Sequence, residues 1–241
     1  MHVAKIAHLD LMKFFSTCLY MLEERGITVE DSSDFEGCEN RMRAIGKNSI
    51  TPMISSEHND LSKDNAGWLI LRKDGQDIGG VAARHDRFVT ETLSSFWSRS
   101  YGRLYKGQGH LRVVSDEHRP CDEITGSVIY MGEFFIAEKM RGSRHMLSLY
   151  THLLFAYCHL RWHPDWLYAF VRADDARLGY ATEYGFTRQY PGAHVWGTLP
   201  KGRATGEYLV AIQSSELCDM ARYFNLHPSV LLGVDSLKRV E

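Results

Sequence analysis

Very little in this chain is present in excess. Twenty-eight Lys and Arg residues face 30 Asp and Glu residues, a formal charge of −2 over 241 residues. Such a balance excludes a global pull toward nucleic acid or an anionic membrane. Cysteines are scarce, odd in number and widely spaced: Cys18, Cys38, Cys121, Cys158 and Cys218. With neither a CxxC pair nor a metal-ligand cadence, a disulfide scaffold and a structural metal site are excluded, and no metal is expected. The thiols read as small buried hydrophobes in a reduced, cytoplasmic setting. No run of 18 apolar residues exists, so no membrane span is expected. The opening MHVAKIAHLD carries one Lys and too short an apolar stretch for a signal peptide. Neither an internal repeat nor a low-complexity linker interrupts the chain.

What is present is an ordinary globular composition, 44% apolar and 24% charged. The length corresponds to roughly 1.6 average domains, and a chain of this size buries roughly 70–75% of its unfolded surface. A single domain over residues 1–241 is expected, with an N-terminal helical extension, an insertion near 86–126 and a C-terminal helical tail.

The periodicity predicts a helix over 11–25, with apolar positions at Leu11, Phe14, Phe15, Cys18, Leu19 and Leu22, Asp10 as N-cap and Gly26 as stop. Residues 26–65 are polar and patchy, with a short helix expected over 41–45. Two apolar runs around the Asp74-Gly75 turn predict an antiparallel hairpin over 67–84. The stretch 86–126 mixes Phe96, Trp97, Arg99, Tyr101, Arg103 and Tyr105 with glycines. Core packing is the favoured reading of these aromatics, and a lid over a flat or anionic substrate is the alternative. A strand is expected over 127–136, then a helix over 143–160. Apolar residues on two faces of that helix imply cover on both sides, making it and the tail candidate surfaces for a homodimer. A strand over 166–171, a short helix over 174–184 closed by Gly185, strands at 195–196 and 208–212, and a helical tail over 215–240 complete the reading.

The segment Tyr130–Leu149, YMGEFFIAEKMRGSRHMLSL, runs from a buried strand through an Arg-Gly turn into a long helix. Such a junction concentrates unpaired backbone N–H groups at the positive end of a helix dipole, a phosphate-binding arrangement. Lys139, Arg141 and Arg144 add charge there. Solvated basic turns share this pattern.

The element order and the motif I-A-E-K-M-R-G-S-R-H-M over 136–146, followed by Tyr184-Gly185-Phe186, resemble the GCN5-related N-acetyltransferase superfamily over about residues 67–212. The family's pattern is V-x-P-x-x-R-G-x-G-x-G/A; Arg141 and Gly142 fall in register, whereas Arg144 and Met146 replace its later small residues. The resemblance implies an α/β (α+β) fold with a mixed, mostly antiparallel central sheet flanked by helices. It implies acyl transfer from acetyl-coenzyme A to an amine on a small molecule or peptide, with no nucleic-acid or membrane partner. Pantetheine would lie between splayed fourth and fifth strands, against backbone at Phe135, Ile136 and Ala137. The phosphates would meet Arg141, Gly142, Ser143, Arg144 and His145. Glu133, the only acid in its strand, is the implied base or amine anchor, and Tyr180 or Tyr184 the implied acid for the leaving thiolate; pairing with a basic side chain at the strand's open end and helix packing are the respective structural readings. Two other outcomes share the fold: a non-catalytic binding protein, or an acyl-homoserine-lactone-synthase-like enzyme with another donor.

Overall fold

The computed structural model describes every residue except 1, 106–109, 112–119, 143, 193, 195 and 233–241. The chain opens with helix α1 (His2–Glu23), edge strand β1 (Ile27–Ser32) and helix α2 (Phe35–Ala44). Strands β2 (Ala66–Lys73) and β3 (Gln76–Phe88) form the expected hairpin. Helix α3 (Leu93–Leu104) and the two-residue β4 (His110–Leu111) precede β5 (Gly126–Ile136), helix α4 (Arg144–Trp162) and β6 (Trp166–Val171). Short helices α5 (Ala173–Arg177) and α6 (Tyr180–Glu183), strands β7 (Arg188–Tyr190), β8 (Trp196–Thr198) and β9 (Tyr208–Gln213), and helix α7 (Ser214–Leu226) follow.

The main sheet has seven strands in the order β1-β2-β3-β5-β6-β9-β7. Only β5 and β6 run parallel; every other neighbouring pair is antiparallel. That is the mixed, mostly antiparallel arrangement expected. Alternation along the strands feeds two apolar clusters. Leu69, Leu71, Val81, Ile129, Met131 and Leu167 join α1, α4 and α7 in one. Trp68, Ile70, Ala82, Val128, Tyr130 and Tyr168 join α2 and α3 in the other.

Several sequence expectations are corrected. The first helix begins eight residues before Asp10, which is mid-helix and pairs with Arg222 at 3.0 Å instead of capping. The short helix at 41–45 is the end of a ten-residue helix capped by Asp34, whose Oδ1 accepts from Gly37 N at 3.0 Å. The helix at 174–184 is split by Gly179, which takes a left-handed φ of 84°. The strand near 195–196 lies outside the main sheet and pairs with β4. The second apolar face of α4, a candidate dimer surface, is covered by α1 within the same chain. Part of the expected tail helix, 233–240, falls outside the described residues.

Gly79 sits where β3 crosses the end of β5. A Cβ there would stand 2.7 Å from both the Ile136 Cδ1 and the Phe135 carbonyl oxygen. Gly79→Ala is therefore expected to destabilise by about 1–3 kcal/mol through overpacking; a urea-unfolding midpoint equal to wild type would contradict it.

Candidate functional site

Parallel pairing between β5 and β6 lasts for three residue pairs, from Val128 opposite Trp166 to Tyr130 opposite Tyr168. Beyond them β5 continues to Ile136 on β3, and β6 continues to Val171 on β9. The two strands therefore part after Tyr130 and Tyr168, leaving facing backbone edges without a partner strand. Buried peptide groups demand partners, so such an edge invites an extended amide-bearing chain. Ala137 N donates to Ile78 O at 2.9 Å, on the β3 side. Strand alternation then turns Ile136 toward the open edge, where Arg141 Nε donates to its carbonyl at 2.9 Å.

The divergence coincides with a bulge. Ala82 pairs with Gly132, but Gly80 pairs with Phe135, so Glu133 and Phe134 on β5 together oppose the single residue Val81, a one-residue bulge. Glu133 takes a φ of 63°, left-handed for a non-glycine residue, a strain of order 1–3 kcal/mol of the kind that gathers at functional sites. Its side chain has no exposed area. Oε1 accepts from Thr51 N at 2.7 Å, and Oε2 meets Lys47 Nζ at 2.9 Å. Both oxygens are thus engaged by the loop after α2. The Lys47 ammonium also stands 5.5 Å from the Phe135 ring centre.

Phe134, the other bulge residue, joins the cluster on the α4 side of the sheet. Its ring lies 5.5 Å from Tyr184 and 5.4 Å from Tyr150, and Tyr184 stacks with Tyr180 at 6.1 Å. The structure thus brings Tyr184 beside the bulge, while Tyr180 stands one ring further out. Burial, with Asp175 nearby, pushes the Tyr184 phenol up to about 12, so it stays protonated near neutrality. Tyr130 is buried among rings and raised by burial, a packing residue.

After β5 the chain makes a 3₁₀ turn at Glu138–Met140 and reaches exposed Arg141 and Gly142. Gly142 has a φ of 107°, a conformation that a side chain would strain. The Arg141 guanidinium folds back over the Phe135 ring at 5.4 Å, so it marks the mouth of the strand gap. Ser143 falls outside the described residues; of Arg144 only the backbone is described, as the first residue of α4; His145 is half-buried in that first turn. Among the described residues no cluster of His, Cys, Asp or Glu could hold a metal ion, and no helix is long and apolar enough to cross a membrane.

A group absent from the sequence reading borders the gap on the other face. Phe170, on the diverging part of β6, lies 4.5 Å from the His194 ring and 4.5 Å from the Arg203 guanidinium. Arg203 Nη2 meets Glu207 Oε2 at 2.5 Å and donates to His194 Nδ1 at 3.3 Å. An arginine cannot accept, so Nδ1 is the unprotonated nitrogen and Nε2–H donates to Tyr101 Oη at 2.8 Å. Arg203 Nε and Tyr105 Oη are buried there without hydrogen-bond geometry among the described residues. No spacing rule could have gathered these residues, because 93 positions separate Tyr101 from His194.

No protein-family model matches the chain, and no curated protein matches it. Solved structures do resemble it. Arabidopsis thaliana NAA60, solved with acetyl-CoA, is 15% identical with a TM-score of 0.45, covering 78% of this chain and 98% of that one. FeeM, an N-acyl amino acid synthase from uncultured soil microbes, is 12% identical with a TM-score of 0.49, covering 82% and 97%. Mutant forms of the spermidine/spermine N-acetyltransferase SpeG from Vibrio cholerae are 11% identical with a TM-score of 0.45, covering 82% and 99%. At such identities and TM-scores the likeness says nothing of activity. The strand order, the bulge and the parting of β5 from β6 are properties of this chain itself, and they match the mixed, mostly antiparallel α/β layout that the sequence resemblance implies.

Proposed function

We propose that the chain transfers an acyl group from a coenzyme A thioester to an amine on a small molecule or peptide. One observation carries the reading: the two parallel strands separate after Tyr130 and Tyr168, so a slot edged by unpaired backbone opens beside a strained bulge. The residues present suit coenzyme A. Of the backbone at Phe135, Ile136 and Ala137, that of Ile136 faces the gap and would meet a pantetheine amide, and the turn carrying Arg141 and Gly142, with Arg144 and His145 in the first turn of α4, would meet the phosphates. The thioester would supply the acyl carbonyl.

An acceptor amine with a pKa of about 10.4 arrives as an ammonium and must lose a proton before attack. Glu133 already holds one ammonium, that of Lys47, so its carboxylate is suited to anchoring and orienting positive charge at the bulge. The bulge N–H groups would donate to the carbonyl oxygen as charge develops there. Tyr184, raised to about 12, would remain protonated while donating a hydrogen bond to a departing thiolate, whose conjugate acid has a pKa of about 8.5.

Titration calorimetry with acetyl-CoA tests the reading. Saturable binding is expected, about tenfold weaker in Arg141→Ala; no binding at millimolar ligand would overturn it. Release of free thiol in the presence of an amine panel separates turnover from binding. The non-catalytic reading is favoured by the full engagement of both Glu133 oxygens within the chain, and binding without thiol release would select it.

A further inference from the structure

A cleft of about 370 Å³ is lined by residues of α3, β3 and the loop before β2. From α3 come Phe96, Arg99, Ser100 and Arg103, successive positions of one helix face. Arg84 and Asp86 come from one face of β3, and Asn59, Asp60 and Asn65 from the loop. Most of this polar lining is already spent. Arg84, almost wholly buried, donates Nε and Nη2 to Asp86 Oδ2 at 3.1 and 3.0 Å, and Nη1 to Met53 O and to Asn59 Oδ1. The Asn59 amide donates to Pro52 O and Ser55 O, that of Asn65 to Asp60 O, and Ser100 Oγ to Phe96 O.

Three charged groups are left. Arg103 has no hydrogen bond or ion pair through its guanidinium among the described residues. Arg99 is 64% exposed and forks Glu91, outside the lining, with Nη2 donating to Oε1 at 2.7 Å and Nε to Oε2 at 3.3 Å, while its Nη1 makes no hydrogen bond among the described residues. Asp60 is exposed at the same cleft. Two guanidiniums one helical turn apart therefore meet one carboxylate. The Phe96 ring centre lies 5.6 Å from the Arg84 guanidinium and 5.5 Å from that of Arg99.

We propose that this cleft binds a small molecule through a planar or tetrahedral anionic group, a carboxylate or a phosphate, held by Arg99 and Arg103. Guanidiniums match both oxyanions through paired N–H donors, and the cavity has the size of a small-molecule site. None of its lining residues is among those placed above at the strand gap.

Calorimetric titration of the full chain without coenzyme A, at constant ionic strength, with succinate, inorganic phosphate and spermidine as separate probes, tests this. Saturable binding of succinate or phosphate is expected, and whichever binds more tightly identifies the anion. Arg103→Ala, whose exposed side chain makes no contact needed for folding, is expected to weaken it about tenfold. Asp60→Asn is expected to tighten it about threefold by removing a like charge. Equal affinity in Arg103→Ala, weaker binding in Asp60→Asn, preference for spermidine, or no saturation by either anion would overturn the proposal. Acetyl-CoA binding, measured separately, is expected to persist in Arg103→Ala, so the two readings fail independently.

Discussion

Replacing Lys47 by methionine is expected to cost about 3–5 kcal/mol of folding stability, because it strands a charge that has no other neutralising partner among the described residues. The Glu133 side chain has no exposed area and Lys47 only 15%. The remaining contact, from Thr51 N to Oε1, satisfies one oxygen but supplies no charge. The converse change, Glu133→Gln, is expected to cost less. The amide keeps an acceptor for Thr51 N, and the long lysine stem can carry its ammonium toward water. In the double variant most of the loss should return, since neither charge is then buried alone. Urea unfolding of the four proteins at pH 7 measures this coupling directly. A cost below about 1 kcal/mol for Lys47→Met would show that the carboxylate reaches solvent without Lys47. The pair also bears on activity. Where Glu133 anchors the acceptor, Glu133→Gln should raise KM for the amine and leave acetyl-CoA affinity unchanged.

Acidification from pH 7 to 4 is expected to remove about 3 kcal/mol of stability through His152 alone. The imidazole is buried against Phe14, Phe155 and Phe224, with ring separations of 6.0, 5.8 and 5.2 Å. Nδ1 donates to Ser148 O at 2.7 Å, a bond that either protonation state can make. Burial lowers its pKa from 6.5 to about 4, and the Ser148 bond offsets only part of that. The unfolded chain therefore binds a proton between pH 6.5 and 4 that the folded chain refuses. The neutral ring is tolerated in full above 6.5, stability drains away as pH falls through this window, and the loss is complete below about 4. His159, lowered to about 4 by burial with His163 and His8 nearby, acts with the same sign. His152→Leu should flatten the part due to His152 in urea unfolding at a series of pH values. Should that variant fold poorly, ring ¹⁵N shifts in the wild-type protein provide the second check. An imidazole already protonated at pH 5.5 would refute the expectation. Because this ring touches α1, α4 and α7 together, acid should first loosen the helical layer rather than the sheet.

Elements with strong, uninterrupted periodicity were readable in advance. The hairpin announced itself by two apolar runs about Asp74-Gly75, and α4 by apolar residues on two faces, each of which found cover. Edge strand β1 was not readable, since its burial is intermittent and four of its six residues are polar. Helix α3 carried a signal that went unused: Leu93, Trp97, Tyr101 and Leu104 follow helical spacing and are all buried. Serines and a glycine diluted it, being weak helix formers. Its aromatics are largely core, as the favoured reading had them, while Arg99 and Arg103 remain at the cleft.

The Arg141-Gly142 turn, the acid inside an apolar strand and the tyrosines before Gly185-Phe186 are local patterns, and the chain alone determined them. Tertiary structure decided how far β5 and β6 stay paired, and it set Lys47 and Thr51 on Glu133 across some 82 positions of sequence. It also assembled Tyr101, His194, Arg203 and Glu207 beside Phe170. Periodicity reports which face of an element is buried; which distant side chain meets it there depends on how the layers pack, and no local window contains that information.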